Sequence, residues 1–171
     1  MAHLYRKAMD ALYLFCIGFA GIALVIMTVV IPWGIYTRYV LNSGSAWPEP
    51  LSVLLVIPFT FFAAAACYRG GVHISVTLFI GALPTPLRRV VDLAVEGVMA
   101  LLAVFMIIWG AQLVDTTLHQ VIAEFPFLSA GITYMPIPLG GLFTLLFVIE
   151  RLWIGPPPRD SIVYREPVEL N

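Results

Sequence analysis

Charge is what this chain has least of. Only 11% of its 171 residues are Asp, Glu, Lys or Arg, against about 25% in an ordinary soluble domain. With 61% of the residues hydrophobic, one small water-soluble core could not hide them all, and a compact soluble fold is excluded. Cysteine is nearly absent as well. Cys16 and Cys67 stand far apart and form no C-x-x-C pair, so both read as small buried hydrophobes rather than as a disulfide or a metal clasp. Zinc-type clusters, P-loops, G-x-S-x-G elbows and dinucleotide fingerprints are missing. The three histidines, His3, His73 and His119, fall in the N-terminal tail and in two different connections, so no two share a depth at which to ligate a haem iron. The sequence therefore supports no catalysis, no metal and no cofactor. A formal net charge of −1 gives no reason to expect nucleic acid. Without an internal repeat, an inverted-repeat transporter within one chain is unsupported.

What remains is long apolar sequence. Ala11 to Thr37, Pro50 to Tyr68, Gly97 to Val114 and Phe125 to Ile149 carry no charge, and each is long enough to cross a hydrocarbon layer that needs roughly 20 apolar residues. No water inside a bilayer satisfies backbone groups, and nothing alternates apolar with polar residues as barrel strands do, so the crossings are expected as helices. The expected fold is an all-α membrane protein with four transmembrane helices over about 11–37, 50–68, 90–114 and 130–150. The stretch from Ile74 to Leu87 is apolar but too short to cross, and is expected as a short interfacial helix between the second and third spans. The transmembrane domain is expected over 1–155. After Pro156 to Pro158, a polar tail over 156–171 is expected to be flexible. Because the first apolar run continues through Ile31, beyond a signal-peptide core of roughly 7–15 residues, it is expected as an uncleaved helix.

The basic residues orient these spans. Eight of the nine Lys and Arg lie before span one, between spans two and three, or after span four; only Arg38 lies elsewhere. The positive-inside rule then puts both termini in the cytoplasm of a bacterial inner membrane, with Arg38 to Glu49 and Asp115 to Glu124 on the outer face. Pro32 should kink or end the first helix near Trp33, Tyr36 and Tyr39, which suit the membrane interface. Pro48 or Pro50 suits the first turn of the second helix. Ala63 to Ala66, Ala100, Ala103, Gly140 and Gly141 offer close-packing surfaces for helix contacts. Arg88 and Asp92 can pair at i, i+4, and Glu96, the deepest charge, is expected to be neutralised by Arg88 or Arg89. Thr28, Thr60 and Thr144 are almost the only polar groups at mid-depth. Arg38 ends one helix and Glu49 begins the next, so the two are expected to pair, with Trp47 as their interfacial anchor.

Arg38-Tyr39, then Trp47-Pro48-Glu49, then Arg69-Gly70-Gly71-Val72-His73 follow in an order that resembles the small membrane subunit of tripartite ATP-independent periplasmic (TRAP) transporters, the DctQ-like family. That family carries an Arg-Tyr pair, a Trp-x-Glu and a Gly-x-His, and the likeness covers nearly the whole chain. The sequence departs from the pattern at Pro50, where a second acid is common, and at Ser75 and Thr77, where charges are usual. The resemblance implies a scaffold subunit of a sodium-driven importer of organic acids. Its implied partners are a large DctM-like membrane subunit holding the substrate and sodium sites, a periplasmic substrate-binding protein, and membrane lipids. Arg38, Trp47, Glu49, Arg69 and His73 become structural or subunit-interface residues. Two other four-helix readings compete. The small subunit of a tripartite tricarboxylate transporter is opposed by the Trp-x-Glu and Gly-x-His pattern, and a respiratory membrane anchor by the histidine placement. The topology is checked by cysteine labelling in intact cells: an impermeant reagent should modify a cysteine placed at Ser45 and spare one placed at Ser161, and the reverse pattern would overturn the orientation.

Overall fold

The computed structural model describes residues 2–71, 85–157 and Val163. Four helical segments in it are long and apolar enough to cross a membrane. The elements in chain order are α1 (Ala2–Tyr39), α2 (Pro48–Gly70), α3 (Thr85–Thr117), strands β1 (Val121–Ile122) and β2 (Phe125–Ser129), a one-turn helix α4 (Ala130–Tyr134), and α5 (Pro136–Trp153). The expected interfacial helix over 74–87 and His73 lie outside the described residues, apart from the first turn of α3, as does most of the tail.

Helix α1 has 38 residues, about 57 Å at 1.5 Å per residue. It exceeds an apolar layer of about 30 Å and so projects beyond it. Pro32 lies inside this helix and does not end it. Helix α2 starts on Pro48, whose missing N–H costs nothing in a first turn, and stops at Gly71. Gly71 has φ 64°, and its N–H donates to the carbonyls of Cys67 and Tyr68. This left-handed stop suits glycine because a Cβ would be strained there.

The all-α expectation fails in the third connection. Residues Val121–Ile122 and Phe125–Ser129 form a two-stranded antiparallel ribbon, pairing Val121 with Ser129 and Ile122 with Phe125. The charge-free stretch beginning at Phe125 is therefore part strand, a distinction that apolar length cannot make. The Ser129 hydroxyl bonds the Leu118 carbonyl and accepts from the Gly131 N–H, fastening the ribbon to α3 and capping α4. Helix then breaks at Met135, before Pro136 removes a backbone donor.

In the packing, α2 and α5 are central. Helix α1 packs on α2, α3 packs on α5, and α2 packs on α5, while α1 meets α5 only slightly. The order α1–α2–α5–α3 is closer to a row than to a square bundle. Gly140 and Gly141 permit it. A Cβ on Gly140 would lie 2.8 Å from Phe61 Cβ, and one on Gly141 would lie 2.9 Å from the Ala103 carbonyl oxygen. One glycine thus faces α2 and its neighbour faces α3. Ala65, Ala66 and Ala103 are also buried, so several of the small residues marked for helix contacts are used within the chain. Phe15, Phe19, Phe62 and Phe143 stack edge-on or tilted beside buried Cys16. Cys67, expected to be buried, is exposed. The packed stripe of α2 runs through Phe62, Ala65, Ala66 and Arg69, at i, i+3, i+4 and i+7, and position 67 falls off it.

Replacing Gly141 with Val should lower stability by about 1–3 kcal/mol through overpacking at the α3–α5 crossing. Gly18, with nothing within 4 Å of a Cβ, should accept Ala with little change. Unfolding of both variants in mixed micelles, compared with the parent chain, checks this.

Candidate functional site

The structure concentrates its polar contacts at the two ends of the helices. At the end that holds the start of α1 and the close of α5, Arg69 is 2% exposed and binds two carboxylates. Its Nε donates to Glu150 Oε2 at 2.8 Å, and its Nη2 donates to Glu150 Oε1 at 2.9 Å and to Asp10 Oδ1 at 2.7 Å. This guanidinium also lies over the rings of Tyr13 and Phe147, 5.6 and 5.4 Å from their centroids. It therefore ties α2 to α1 and α5 at once.

A second cluster faces α3. The Tyr68 hydroxyl donates to Glu96 Oε2, Arg151 Nε meets Glu96 Oε1 at 2.8 Å, and the Arg151 guanidinium sits over the Tyr68 ring. Successive helical residues point about 100° apart. The adjacent pairs Tyr68-Arg69 and Glu150-Arg151 thus reach both ways, Arg69 and Glu150 toward α1, Tyr68 and Arg151 toward α3. Helix α1 gains two further ties, from the Tyr5 hydroxyl to the Leu146 carbonyl at 3.0 Å and from Arg6 Nη2 to the Ile154 carbonyl at 3.2 Å.

Glu96 has partners that were not expected: among the described residues they are Tyr68 and Arg151, while Arg89, one of the two expected, is exposed and the side chain of Arg88 lies outside the described residues. Neighbours along one helix can be read from i, i+4 spacing, whereas partners on other helices cannot. Sequence reasoning singled out Arg69 but missed Asp10, Tyr68, Glu150 and Arg151. The available signal was that charges are rare here: a carboxylate and a guanidinium bordering apolar spans require partners.

At the opposite end, Arg38 Nη2 lies 3.4 Å from Glu49 Oε2, with the two side chains 58% and 77% exposed. The expected pair is present but loose and open. Trp47 occupies the position before α2 and is partly exposed. A cleft of about 350 Å³ opens between α1 and α2 beside this pair, with Gly34 and Pro48 in its floor. Among the described residues, no three His, Cys, Asp or Glu side chains converge as a metal set.

The two arginines should respond differently to truncation. Arg69→Ala leaves Glu150 buried without its counter-charge and should destabilise the chain by about 3–5 kcal/mol. Arg38→Ala removes an exposed pair and should cost under about 1 kcal/mol. Unfolding free energies in detergent measure both, and equal losses would contradict the assignment of the buried cluster.

Comparison with known proteins matches this sequence to one family. Residues 27–155 fit the sequence profile of the DctQ component of tripartite ATP-independent periplasmic transporters. A protein of Haemophilus influenzae named as a TRAP transporter small permease is 27% identical over 152 residues, covering 89% of each chain. The sialic acid TRAP transporter small permease protein SiaQ of Vibrio cholerae is 26% identical over 124 residues, covering 72% of this chain and 71% of that protein. A second small permease of Haemophilus influenzae is 32% identical over 100 residues, covering 58% of this chain and 60% of its own. With four apolar spanning helices and a profile match running from inside α1 to just past the end of α5, the chain belongs to the DctQ family of TRAP transporter small permease subunits.

Proposed function

We propose that this chain is the fixed scaffold of a sodium-driven importer of an organic acid. It works beside a large membrane subunit that carries the substrate and ion sites and is supplied by a periplasmic binding protein. The observation that carries this reading is where the polar groups are. The mid-span hydroxyls of Thr28, Thr60 and Thr144 donate to carbonyls four residues back in their own helices, at 2.8, 2.7 and 2.8 Å. Their single donors are therefore already committed within their own helices. Arg69, Asp10, Glu150, Glu96 and Arg151 are engaged with one another in ion pairs at one end of the helices. Moving a carboxylate and its coupling ions through such a chain unaided would be prohibitive, so the path belongs to another protein.

Rigidity and exposed surface support the same role. Four helices stitched together at one end suit a part that stays still while another moves. The edge helices α1 and α3 turn Ile22, Val25, Val98, Leu101 and Trp109 outward, which gives lipid and a large partner a broad apolar surface. Arg38, Trp47 and Glu49 then serve at one end of the subunit and Arg69 at the other as structural or interface groups, and His73 is assigned the same kind of role from its place in the sequence motif. The basic residues Arg6, Lys7, Arg69, Arg89 and Arg151 gather at the end that holds the start of α1 and the close of α5, which supports cytoplasmic termini in a bacterial inner membrane. The Vibrio relative is named for sialic acid, itself a carboxylic acid, which accords with an organic-acid cargo.

The test is reconstitution of this chain alone, of the large subunit alone, and of both together, each with the binding protein, a sodium gradient and labelled acid. Uptake is expected only from the pair. Uptake by this chain alone would end the scaffold reading, and full uptake without it would make it dispensable.

A further inference from the structure

From the cleft between α1 and α2 we infer a binding site for one zwitterionic phospholipid whose headgroup carries a phosphate and a primary ammonium. The inference rests on the membrane-spanning helices and needs neither the transport reading nor a particular orientation of the chain. Arg38 makes a single long contact to Glu49. A guanidinium has five N–H donors in a planar fork suited to phosphate, so most of its donors remain for a phosphate oxygen. Glu49 contacts Arg38 through Oε2 only, which leaves Oε1 to accept from an ammonium. The two charges, side by side and largely exposed, match in sign and spacing a headgroup whose phosphate and ammonium are a few bonds apart.

The remaining walls fit the rest of such a lipid. Below the charged rim, the cleft is lined by Ile31, Ile35 and Val53, all about half exposed toward the surroundings of the helices, an apolar flank for an acyl chain. Trp33 and Tyr36, whose rings lie 6.0 Å apart, and Trp47 flank the same end of the helices, the depth at which aromatic side chains meet headgroups. Charge complementarity therefore selects the headgroup, and the apolar wall selects a lipid over a free phosphate. A trimethylated ammonium has no N–H to give Glu49, and an anionic headgroup would leave Glu49 facing negative charge.

Native mass spectrometry of the delipidated full chain measures this directly. It is titrated with palmitoyl-oleoyl phosphatidylethanolamine, phosphatidylcholine and phosphatidylglycerol. One phosphatidylethanolamine should bind at least about tenfold tighter than either of the others, the difference that one charge-assisted hydrogen bond supplies. Arg38→Ala should weaken it comparably, and Glu49→Gln should abolish the preference over phosphatidylcholine. Unchanged melting of both variants excludes misfolding, and Val53→Trp, which crowds the apolar wall and leaves both charges in place, should also reduce binding. Equal binding of all three lipids, or binding indifferent to Arg38→Ala and Glu49→Gln, would overturn the site. A preference for phosphatidylglycerol that strengthens in Glu49→Gln would overturn the ammonium contact. If the substitutions loosen only the hold on the large subunit, the cleft is a protein contact and the lipid site is wrong.

Discussion

Arg69 is the group on which the arrangement of the helices depends. A guanidinium at the edge of an apolar layer is tolerated only if its charge is met, and Arg69 meets Glu150 through two donors and Asp10 through one of the same nitrogens. Those carboxylates sit on α5 and α1, so satisfying one charge sets the relative height of three helices. Glu96 and Arg151 repeat the device for α3. Because Tyr68-Arg69 and Glu150-Arg151 are adjacent pairs on the two central helices, both clusters share one level. A register slip in either central helix would break both.

The opposite end is held by different physics. There the ion pair of Arg38 and Glu49 is exposed and loose, and closeness of α1 and α2 comes from Gly34, where a Cβ would lie 2.9 Å from the Pro48 ring. On the other side, Gly110 approaches Pro138 as closely, and the ribbon bound through Ser129 braces α3 against the start of the fourth span. One end is thus fastened by buried charge and the other by close backbone approach. At the second, both members of the ion pair are open to something outside the chain.

Between the ends, the helices pack by small residues and aromatic rings, and their hydroxyls bond inward to their own backbones. A row of helices with α2 and α5 in the middle has two long flanks, and α1 and α3 expose many large apolar side chains along them. In water such flanks would drive aggregation; in a membrane they meet lipid or another helical protein. The chain is a member of the TRAP small permease family, and its buried ion pairs at one end and its apolar flanks are the features on which the proposed scaffold role rests.

Four spans were legible in the sequence because crossing a hydrocarbon layer is a matter of apolar length, which can be counted along the chain. Pro48 as a helix start was legible too, since a residue without an N–H fits a first turn. The pairing of Arg38 with Glu49 could be expected because only a short loop separates them. The ribbon at 121–129 was not legible: apolar strand and apolar helix look alike over a few residues. Nor were the partners of Arg69 and Glu96. Arg69 joins residues 59 and 81 positions away, and no periodicity within a helix says which other helix its charged residue will meet. By itself, the sequence determined how many times the chain crosses and where its charges lie, because those follow from local composition. Only the tertiary structure decided that Gly140 faces α2, that Gly141 faces α3, and which carboxylate each arginine holds, because these depend on how the helices rotate and stack against one another.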